Sequence, residues 1–320
     1  MTKSALMSSA RPLTYTAPDG YLLAGHCWMH ARAQAPVVII NPATSVVSRY
    51  YARFAAYLNL HGYHVMTYDY RGIGGSRHGS LRDLRAGWLD WGELDFEAAL
   101  LEAKRRFPDS QVHAVGHSVG GVLIGLAPSN HLISRVFTMG AQHAYWPDYL
   151  GSQRWAMRLR WHVVMPALTK LFGYFPGKRL GWLEDTPAGV VQDWVAPAPD
   201  FVDTYLVSSE HRGFRGSRQL TLAQCDDLRR RFAQMTAPTL AFSITDDPYG
   251  TVPAIERLLA NFSGSQTSHL RLAPDDIGVN QIGHFGFFHG RFEQTLWPIA
   301  LHWLQHGQVK GPFRTHLVLT

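Results

Sequence analysis

The segment VHAVGHSVGGVLIG contains a serine that could act as a nucleophile. An apolar run leads into Gly116-His117-Ser118-Val119-Gly120, and a second apolar run with helical character follows. Glycines two residues before and two after a serine, between a strand and a helix, are typical of a nucleophile held at a strained turn. A hydroxyl is a weak nucleophile at neutral pH, so Ser118 would need a base that takes its proton. The alternative is an ordinary serine in a glycine-rich turn.

A base and an acid for Ser118 occur later in the chain. His284 follows a glycine in the loop sequence QIGHFGFFHG, and His289 in the same segment is a rival base. Asp246 and Asp247 directly follow the apolar run PTLAFSIT. We favour Asp247 as the acid that orients the histidine, with Asp246 as the fallback. Both could instead form a turn or begin the next helix.

The elements that must position these residues alternate between strand and helix. This pattern favours an α/β fold with a mostly parallel, doubly wound sheet and helices on both faces. A hairpin turning at Asp19-Gly20 predicts an antiparallel edge. Because the carboxyl ends of parallel strands meet at one edge, the acid should point into the same crevice as Ser118. The predicted strands are 36–41, 63–70, 111–117, 135–140, 238–245 and 268–273, and the predicted helices are 49–61, 91–107, 119–127, 252–262 and 291–305.

The alternation stops between Ala141 and Thr236, where Trp, Arg and Pro are frequent. We therefore predict a core formed by residues 1–140 and 236–320, and a mainly helical cap inserted at residues 141–235. The cap tryptophans suit a substrate with an apolar or aromatic acyl group, and its arginines could meet a carboxylate or phosphate. The same aromatic residues could equally form the core of the cap. These tryptophans are Trp146, Trp155, Trp161, Trp182 and Trp194.

Composition excludes several classes of protein. The 320 residues are 46% hydrophobic and 17% charged, which is typical of a folded globular protein. The net charge of +6 is spread along the chain, and the cluster Arg229–Arg231 is interpreted as a solvated helix face, so no nucleic-acid partner is expected. Neither the 17 histidines nor Cys27 and Cys225 suggest a ligand set, so no metal is expected and both thiols should be reduced.

The sequence predicts neither a targeting segment nor a membrane-spanning segment. The most apolar window, Trp161–Phe175, is broken by Pro166 and Lys170 and is shorter than the roughly 20 residues that a membrane span requires. A cytoplasmic location is expected by default. The oligomeric state is left undetermined.

Through Ser118, Asp247 and His284, the sequence resembles the α/β-hydrolases, and among them the serine aminopeptidase S33 and monoacylglycerol-lipase-like group. The order Ser118, Asp247, His284 is the order of that superfamily. The segment DYRGIGGS at 69–76 is similar to a mainly architectural family motif. The resemblance covers nearly the whole chain outside the predicted cap and implies that no cofactor is needed.

The resemblance also implies where an oxyanion would bind. The family usually carries His-Gly after its third strand, and here Asn41-Pro42-Ala43-Thr44 takes that place. The corresponding backbone donors are the N–H groups of Ala43 and Val119. Proline at 42 has no N–H, but none is required of it, and its fixed φ could stiffen the loop.

The expected chemistry is acyl transfer from an ester, thioester or amide to water through an acyl-serine intermediate. An acyltransferase or cofactor-free perhydrolase would use the same triad with another acceptor. A non-catalytic binding protein with this fold is the third reading. An aminopeptidase would need acidic cap residues for a substrate amine, and nothing ranks Asp193, Asp200, Asp203 or Glu210 for that task.

Overall fold

A computed structural model of the protein describes residues 10–149, 153–207 and 216–318. Its main element is an eight-stranded sheet with the order β1-β2-β4-β3-β5-β6-β9-β10. The strands of this sheet are β1 (Arg11–Thr16), β2 (Leu22–Trp28), β3 (Val37–Asn41), β4 (His64–Tyr68), β5 (Val112–His117), β6 (Ile133–Met139), β9 (Thr239–Ile244) and β10 (Thr267–Leu272). A separate two-stranded pair consists of β7 (Tyr174–Phe175) and β8 (Thr186–Pro187).

The main sheet is mostly parallel. Only β2 runs antiparallel to its neighbours, β1 and β4, and every other pairing is parallel. The carboxyl ends of β3, β5, β6 and β9 therefore meet at one edge. All six strands predicted for the parallel sheet are present, each within two residues of its predicted limits, and the hairpin at Asp19-Gly20 forms the antiparallel edge.

Helices cover both faces of the sheet, as predicted. Along β3, Val37 and Ile39 face one apolar core while Val38 and Ile40 face the other, which is the period-two pattern of a strand buried on both sides. The helices are α1 (Ala52–Leu60), α2 (Trp88–Asp90), α3 (Glu97–Arg106), α4 (Val119–Leu126), α5 (Gln153–Leu159), α6 (Met165–Phe172), α7 (Gly177–Leu180), α8 (Ala188–Val195), α9 (Leu222–Gln234), α10 (Val252–Leu259), α11 (Gly283–Gly286) and α12 (Trp297–His306). Helices α1 and α12 contribute to one core, and α3, α4, α9 and α10 contribute to the other.

The helices predicted at 49–61 and 252–262 are found at Ala52–Leu60 and Val252–Leu259, and two other predicted helices depart further from the prediction. The helix predicted at 291–305 begins only at Trp297, because Pro298 in the first turn suits a helix start and residues 293–296 form turns. The helix predicted at 91–107 is wound as a π-helix over Trp91–Phe96. A Cβ at Gly92 would lie 2.5 Å from the Leu126 Cβ, so glycine allows this stretch to pack closely against α4.

The segment between β6 and β9 is mainly helical where the structure describes it. Helices α5 to α8 and the β7–β8 pair belong to it, and α9 follows. Helix α9 packs against α4, since a Cβ at Gly125 would lie 2.1 Å from the Phe232 ring. Helix α9, the last helix of the predicted cap, therefore packs on the helical layer that covers one face of the sheet. The domain limits at 141 and 235 stay a prediction.

The Arg229–Arg231 cluster on α9 is an ion-paired surface rather than a purely solvated one. Arg229 pairs with Asp200, Asp203 and Asp226. Arg231 donates to Glu93 over 2.6 Å, which joins α9 to the π-helical stretch. Only the exposed Arg230 pairs solely within its own helix, with Asp227.

Both cysteines are free thiols buried in the fold. No helix in the described part of the chain is both long and apolar enough to cross a membrane.

Candidate active site

Ser118 occupies a strained turn between β5 and α4. Its φ of 55° and ψ of −126° lie in a region that residues other than glycine rarely adopt. The Ser118 N–H donates to the Met139 carbonyl over 3.0 Å, which holds the turn to the end of β6. The sequence GHSVG therefore places this serine at the carboxyl edge of the sheet.

The glycines around Ser118 are required by close backbone contacts. A Cβ at Gly116 would lie 2.6 Å from the backbone of Gly121, and a Cβ at Gly120 would lie 2.4 Å from the Asn41 carbonyl oxygen. Neither backbone contact can be relieved by a side-chain rotation. The turn thus brings α4 directly against the end of β3 and the loop that follows it.

Asp247 and His284 form a buried hydrogen-bonded pair. His284 Nδ1 donates to Asp247 Oδ2 over 2.7 Å, and the Tyr249 N–H donates to Asp247 Oδ1 over 2.8 Å. Burial would raise the pKa of Asp247, but the His284 imidazole and neighbouring backbone N–H groups outweigh it, so the pKa is lowered. The carboxylate is therefore ionised and can hold the imidazole with Nε2 directed away from it.

Asp246 and His289 have different surroundings. Asp246 accepts the N–H groups of Ile282 and Gly283 over 2.8 and 2.9 Å. It thus fixes the backbone of the loop that carries His284, and it forms no hydrogen bond with that imidazole in the described structure. His289 is exposed and packs beside the Tyr50 ring at 5.9 Å between centroids.

The predicted oxyanion donors lie near Ser118 but differ in what they bind. Ala43 and Val119 line the same cavity as Ser118. Val119 is the first residue of α4, where a backbone N–H has no acceptor within the helix and the helix dipole favours negative charge. The Ala43 N–H, by contrast, donates to the Tyr51 hydroxyl oxygen over 2.9 Å.

That hydroxyl belongs to a chain of hydrogen bonds that ends at the backbone of His284. The His284 carbonyl is 2.9 Å from His117 Nε2, which must therefore carry the proton. His117 Nδ1 then accepts from the Tyr51 hydroxyl over 2.8 Å, and burial lowers the pKa of His117 well below its ordinary value. The chain joins the loop after β3 to the loop that carries His284. An oxyanion would have to compete with Tyr51 for the Ala43 N–H.

Ser118 and His284 lie on the wall of one cavity of about 270 Å³. Of its seventeen described lining residues, nine come from the predicted cap. Three of the five cap tryptophans, Trp161, Trp182 and Trp194, are among them, whereas Trp146 and Trp155 are not. The full lining consists of Ala43, Thr44, Trp88, Ser118, Val119, Gln142, Ala144, Arg160, Trp161, Met165, Phe175, Trp182, Leu183, Trp194, Tyr249, His284 and Phe285.

Several residues of the site carry no motif and were not predicted. Tyr51 and His117 form the hydrogen-bond chain, while Trp88 and Tyr249 line the cavity from outside the predicted cap. The position of His117 inside the pentapeptide was a signal that it lies near the site. The aromatic residues offered none, because an isolated Tyr or Trp is most often part of a core.

The acidic residues considered for a substrate amine are engaged elsewhere. Asp193 is buried and accepts the N–H groups of Trp88 and Ser217, each over 2.6 Å. Asp200 and Asp203 pair with Arg229. Glu210 lies outside the described residues.

The described residues contain no group of three or more His, Cys, Asp or Glu side chains that could hold a metal ion. His302 and His306 form a pair that the sequence analysis overlooked. They lie one turn apart on α12, with ring centroids 4.5 Å apart.

The sheet order, the single antiparallel strand β2 and the position of Ser118 together define the α/β-hydrolase fold. Solved structures with this fold superpose on most of the chain. DcsB, solved with its substrate analogue, has a TM-score of 0.57 at 16% identity and covers 93% of this chain and 98% of its own. The Pyrococcus furiosus esterase Pf2001 has a TM-score of 0.54 at 13% identity, covering 95% of each chain. An esterase from Exiguobacterium antarcticum has a TM-score of 0.55 at 16% identity, covering 91% and 98%.

The sequence matches the serine aminopeptidase S33 family over residues 31–275. The protein belongs to this family of α/β hydrolases and is a hydrolase, as the resemblance implied. No curated protein matches the sequence.

Proposed function

We propose that the protein is a serine hydrolase that cleaves a carboxylic ester, or a thioester or amide, through an acyl-serine intermediate. One observation carries the proposal. Ser118, held at a strained turn, lines the same cavity as His284, whose Nδ1 donates to the ionised Asp247. A serine, a base and an acid that orients the base are the groups that acyl transfer requires.

In this mechanism Ser118 Oγ attacks the carbonyl carbon while His284 Nε2 takes the hydroxyl proton. Asp247 stabilises the imidazolium that forms. The tetrahedral intermediate collapses when His284 returns the proton to the leaving group, which leaves an acyl-serine. Water then attacks the acyl carbon, His284 again transfers the proton, and the free acid departs with Ser118 restored.

The Val119 N–H would bind the oxyanion at the positive end of α4. The Ala43 N–H would be the second donor, and it would have to exchange the Tyr51 hydroxyl for the oxyanion. Residues 141–235 would act as the cap, since they supply most of the cavity wall. An apolar or aromatic acyl group fits the tryptophans of this wall, whereas a charged amine would meet the like charge of Arg160 there.

An aminopeptidase activity is less well supported than an esterase activity. The seventeen described lining residues include no Asp or Glu that could pair with a substrate ammonium group. Asp193, Asp200 and Asp203 already have donors of their own.

The test combines covalent labelling with turnover. The folded protein should react with a fluorophosphonate probe at Ser118 and should hydrolyse at least one member of a 4-nitrophenyl ester series of increasing acyl length. Ser118→Ala should lose labelling and at least about 10⁴-fold in kcat. Added alcohol measures partition of the acyl-enzyme away from water. Failure of the folded wild type to label, or turnover that survives in Ser118→Ala, would contradict the proposal.

A further inference from the structure

Arg160 is a cation on the wall of a cavity whose other described lining residues are mainly apolar and include no other Lys or Arg. No Asp, Glu or Lys is among the described lining residues. The guanidinium lies 4.8 Å from the centroid of the Trp182 ring, which also lines the cavity. Arg77 and Arg257 pair with Asp185 and Asp148, whereas no described carboxylate lies within ion-pair distance of Arg160. Its charge is therefore available to a ligand.

Tyr249 provides a second donor on the wall of the cavity that Arg160 and the proposed base also line. Its ring meets the His284 ring edge-on at 5.0 Å and stacks on Trp161 at 6.1 Å. Burial raises the pKa of Tyr249, and the positive charge of Arg160 opposes that rise. Within the described chain, the Tyr249 hydroxyl has no hydrogen-bond partner.

We propose that Arg160 and the Tyr249 hydroxyl bind a carboxylate group of the substrate, in the cavity that contains Ser118. The inference rests on the proposed function and narrows its substrate class to esters that carry an acidic group. A guanidinium presents paired N–H donors that match a carboxylate, and its contact with the Trp182 ring favours its placement at the cavity wall.

The position of Tyr249 limits where the acidic group lies. The Tyr249 ring lies edge-on to the His284 ring with centroids 5.0 Å apart, and Arg160 lines the same cavity of about 270 Å³. The carboxylate should therefore be separated from the reacting carbonyl by a short chain or by one ring. Arg160 is an exposed residue, and water screens its charge, so the preference should be moderate rather than absolute.

Matched substrates isolate the charge. Monomethyl adipate is compared with the methyl ester of adipamic acid, and 4-acetoxybenzoate with 4-acetoxybenzamide. The first pair carries the carboxylate on the acyl side and the second on the leaving group. For at least one pair, wild-type kcat/KM should favour the acid by about 3- to 10-fold, mainly through KM. The preference should weaken at about 0.5 M salt.

Arg160→Gln should bring that acid-to-amide ratio to about one, and Tyr249→Phe should lower it in part. Arg158→Gln is the matched control, because Arg158 lies over Trp146 and Trp155 and does not line the cavity. It should keep the wild-type ratio. Titration calorimetry of the same four esters with Ser118→Ala should show the same preference without turnover.

Three results would overturn the inference: equal use and equal binding of acid and amide by both pairs, a preference that persists in Arg160→Gln, or a loss of preference in Arg158→Gln as well. Turnover of neutral esters with any of these results leaves the proposed hydrolase intact. Absence of Ser118 labelling and of all turnover would instead contradict the proposed hydrolase, while the binding ratio would still decide the role of Arg160.

Discussion

At two places in the molecule, a serine occurs together with a histidine that is paired with a carboxylate. At the first, Ser118 shares a cavity with the His284–Asp247 pair. At the second, which we call the buried Ser243 network, Ser243 Oγ is 2.7 Å from His269 Nε2, and His269 Nδ1 is 2.8 Å from Glu256 Oε1. Both sets follow the chain order serine, acid, histidine.

The difference lies in the backbone and in access. Ser118 stands at a positive φ before the free N–H groups of α4, on a cavity wall. Ser243 lies inside β9, paired with Arg271 of β10, and is fully buried. Arg271 also donates to Ser243 Oγ over 2.9 Å. We propose that residue types and hydrogen bonds alone do not define a catalytic serine, which also needs an accessible turn and donors for an oxyanion.

Replacing each histidine by alanine gives the largest expected contrast. His284→Ala should lower kcat/KM by about 10⁴-fold, because the base is lost. His269→Ala should leave turnover within about threefold and lower the free energy of unfolding by about 1–3 kcal/mol, because Ser243 and Glu256 lose a partner. Ester hydrolysis and urea denaturation measure the two effects. If His284→Ala and His269→Ala lost turnover equally, the two sites would not differ in their role in catalysis.

The two adjacent aspartates should differ by a smaller factor. Asp247→Asn should cost about 10³- to 10⁴-fold in kcat, because the amide cannot hold the imidazole in the same tautomer or stabilise its charge. Asp246→Asn should cost about 10- to 100-fold, because one of its two backbone donors loses its acceptor and the His284 loop shifts. Glu256→Gln, in the buried Ser243 network, is the control and should keep wild-type kcat. A larger loss in Asp246→Asn than in Asp247→Asn would reverse the assignment of the acid.

The sequence alone could not decide whether Asp246 or Asp247 pairs with His284. Both aspartates follow β9 directly, and only the path of the chain decides that one carboxylate meets the imidazole and the other meets the Ile282 and Gly283 N–H groups. The strands were predictable because β-branched runs buried on both faces leave a continuous apolar signal. The G-x-S-x-G pattern surrounds Ser118 and not Ser243, and it is the local signal that separates the two serines. Chain order does not separate them, because both sets follow the order serine, acid, histidine.

Other features depend on contacts between distant segments. The strand predicted at 63–70 ends at Tyr68, since the Asp69 carboxylate accepts the N–H groups of Ser48 and Gly75 and the chain turns there. The engagement of the Ala43 N–H by Tyr51 depends on the rotamer of a tyrosine eight residues later. The local sequence pattern therefore predicts neither the end of β4 at Tyr68 nor the hydrogen bond between Tyr51 and Ala43.

Acid should destabilise the protein partly through the buried Ser243 network. Burial lowers the pKa of His269 from 6.5 to about 4, and Arg271 acts in the same direction. The folded state binds this proton less well than the unfolded state does. The contribution of His269 to the free energy of unfolding is therefore fully present above pH 6.5 and is lost as the pH falls towards 4. Between about pH 7.5 and pH 4.5 the loss through His269 is at most about 2.5 kcal/mol, and the nearby Glu256 carboxylate reduces it.

Urea unfolding of wild type and His269→Gln at both pH values isolates this contribution, since His113 and His143 titrate in both proteins. The wild type should lose more stability on acidification than the variant does. An identical loss in the two proteins would mean that His269 is not held neutral by burial.

The smallest expected effect concerns the second serine itself. Ser243→Ala should leave fluorophosphonate labelling and kcat/KM unchanged, because Ser243 touches neither the cavity lining nor the His284 loop in the described structure. It should lower the free energy of unfolding by only about 1 kcal/mol, since His269 Nε2 and Arg271 each lose one hydrogen bond but Arg271 retains the Gly250 carbonyl. Labelling stoichiometry and a urea titration check both values. Reduced labelling in Ser243→Ala, with folding intact, would show that the buried serine reacts and that an exposed, strained turn is not what separates the two sites.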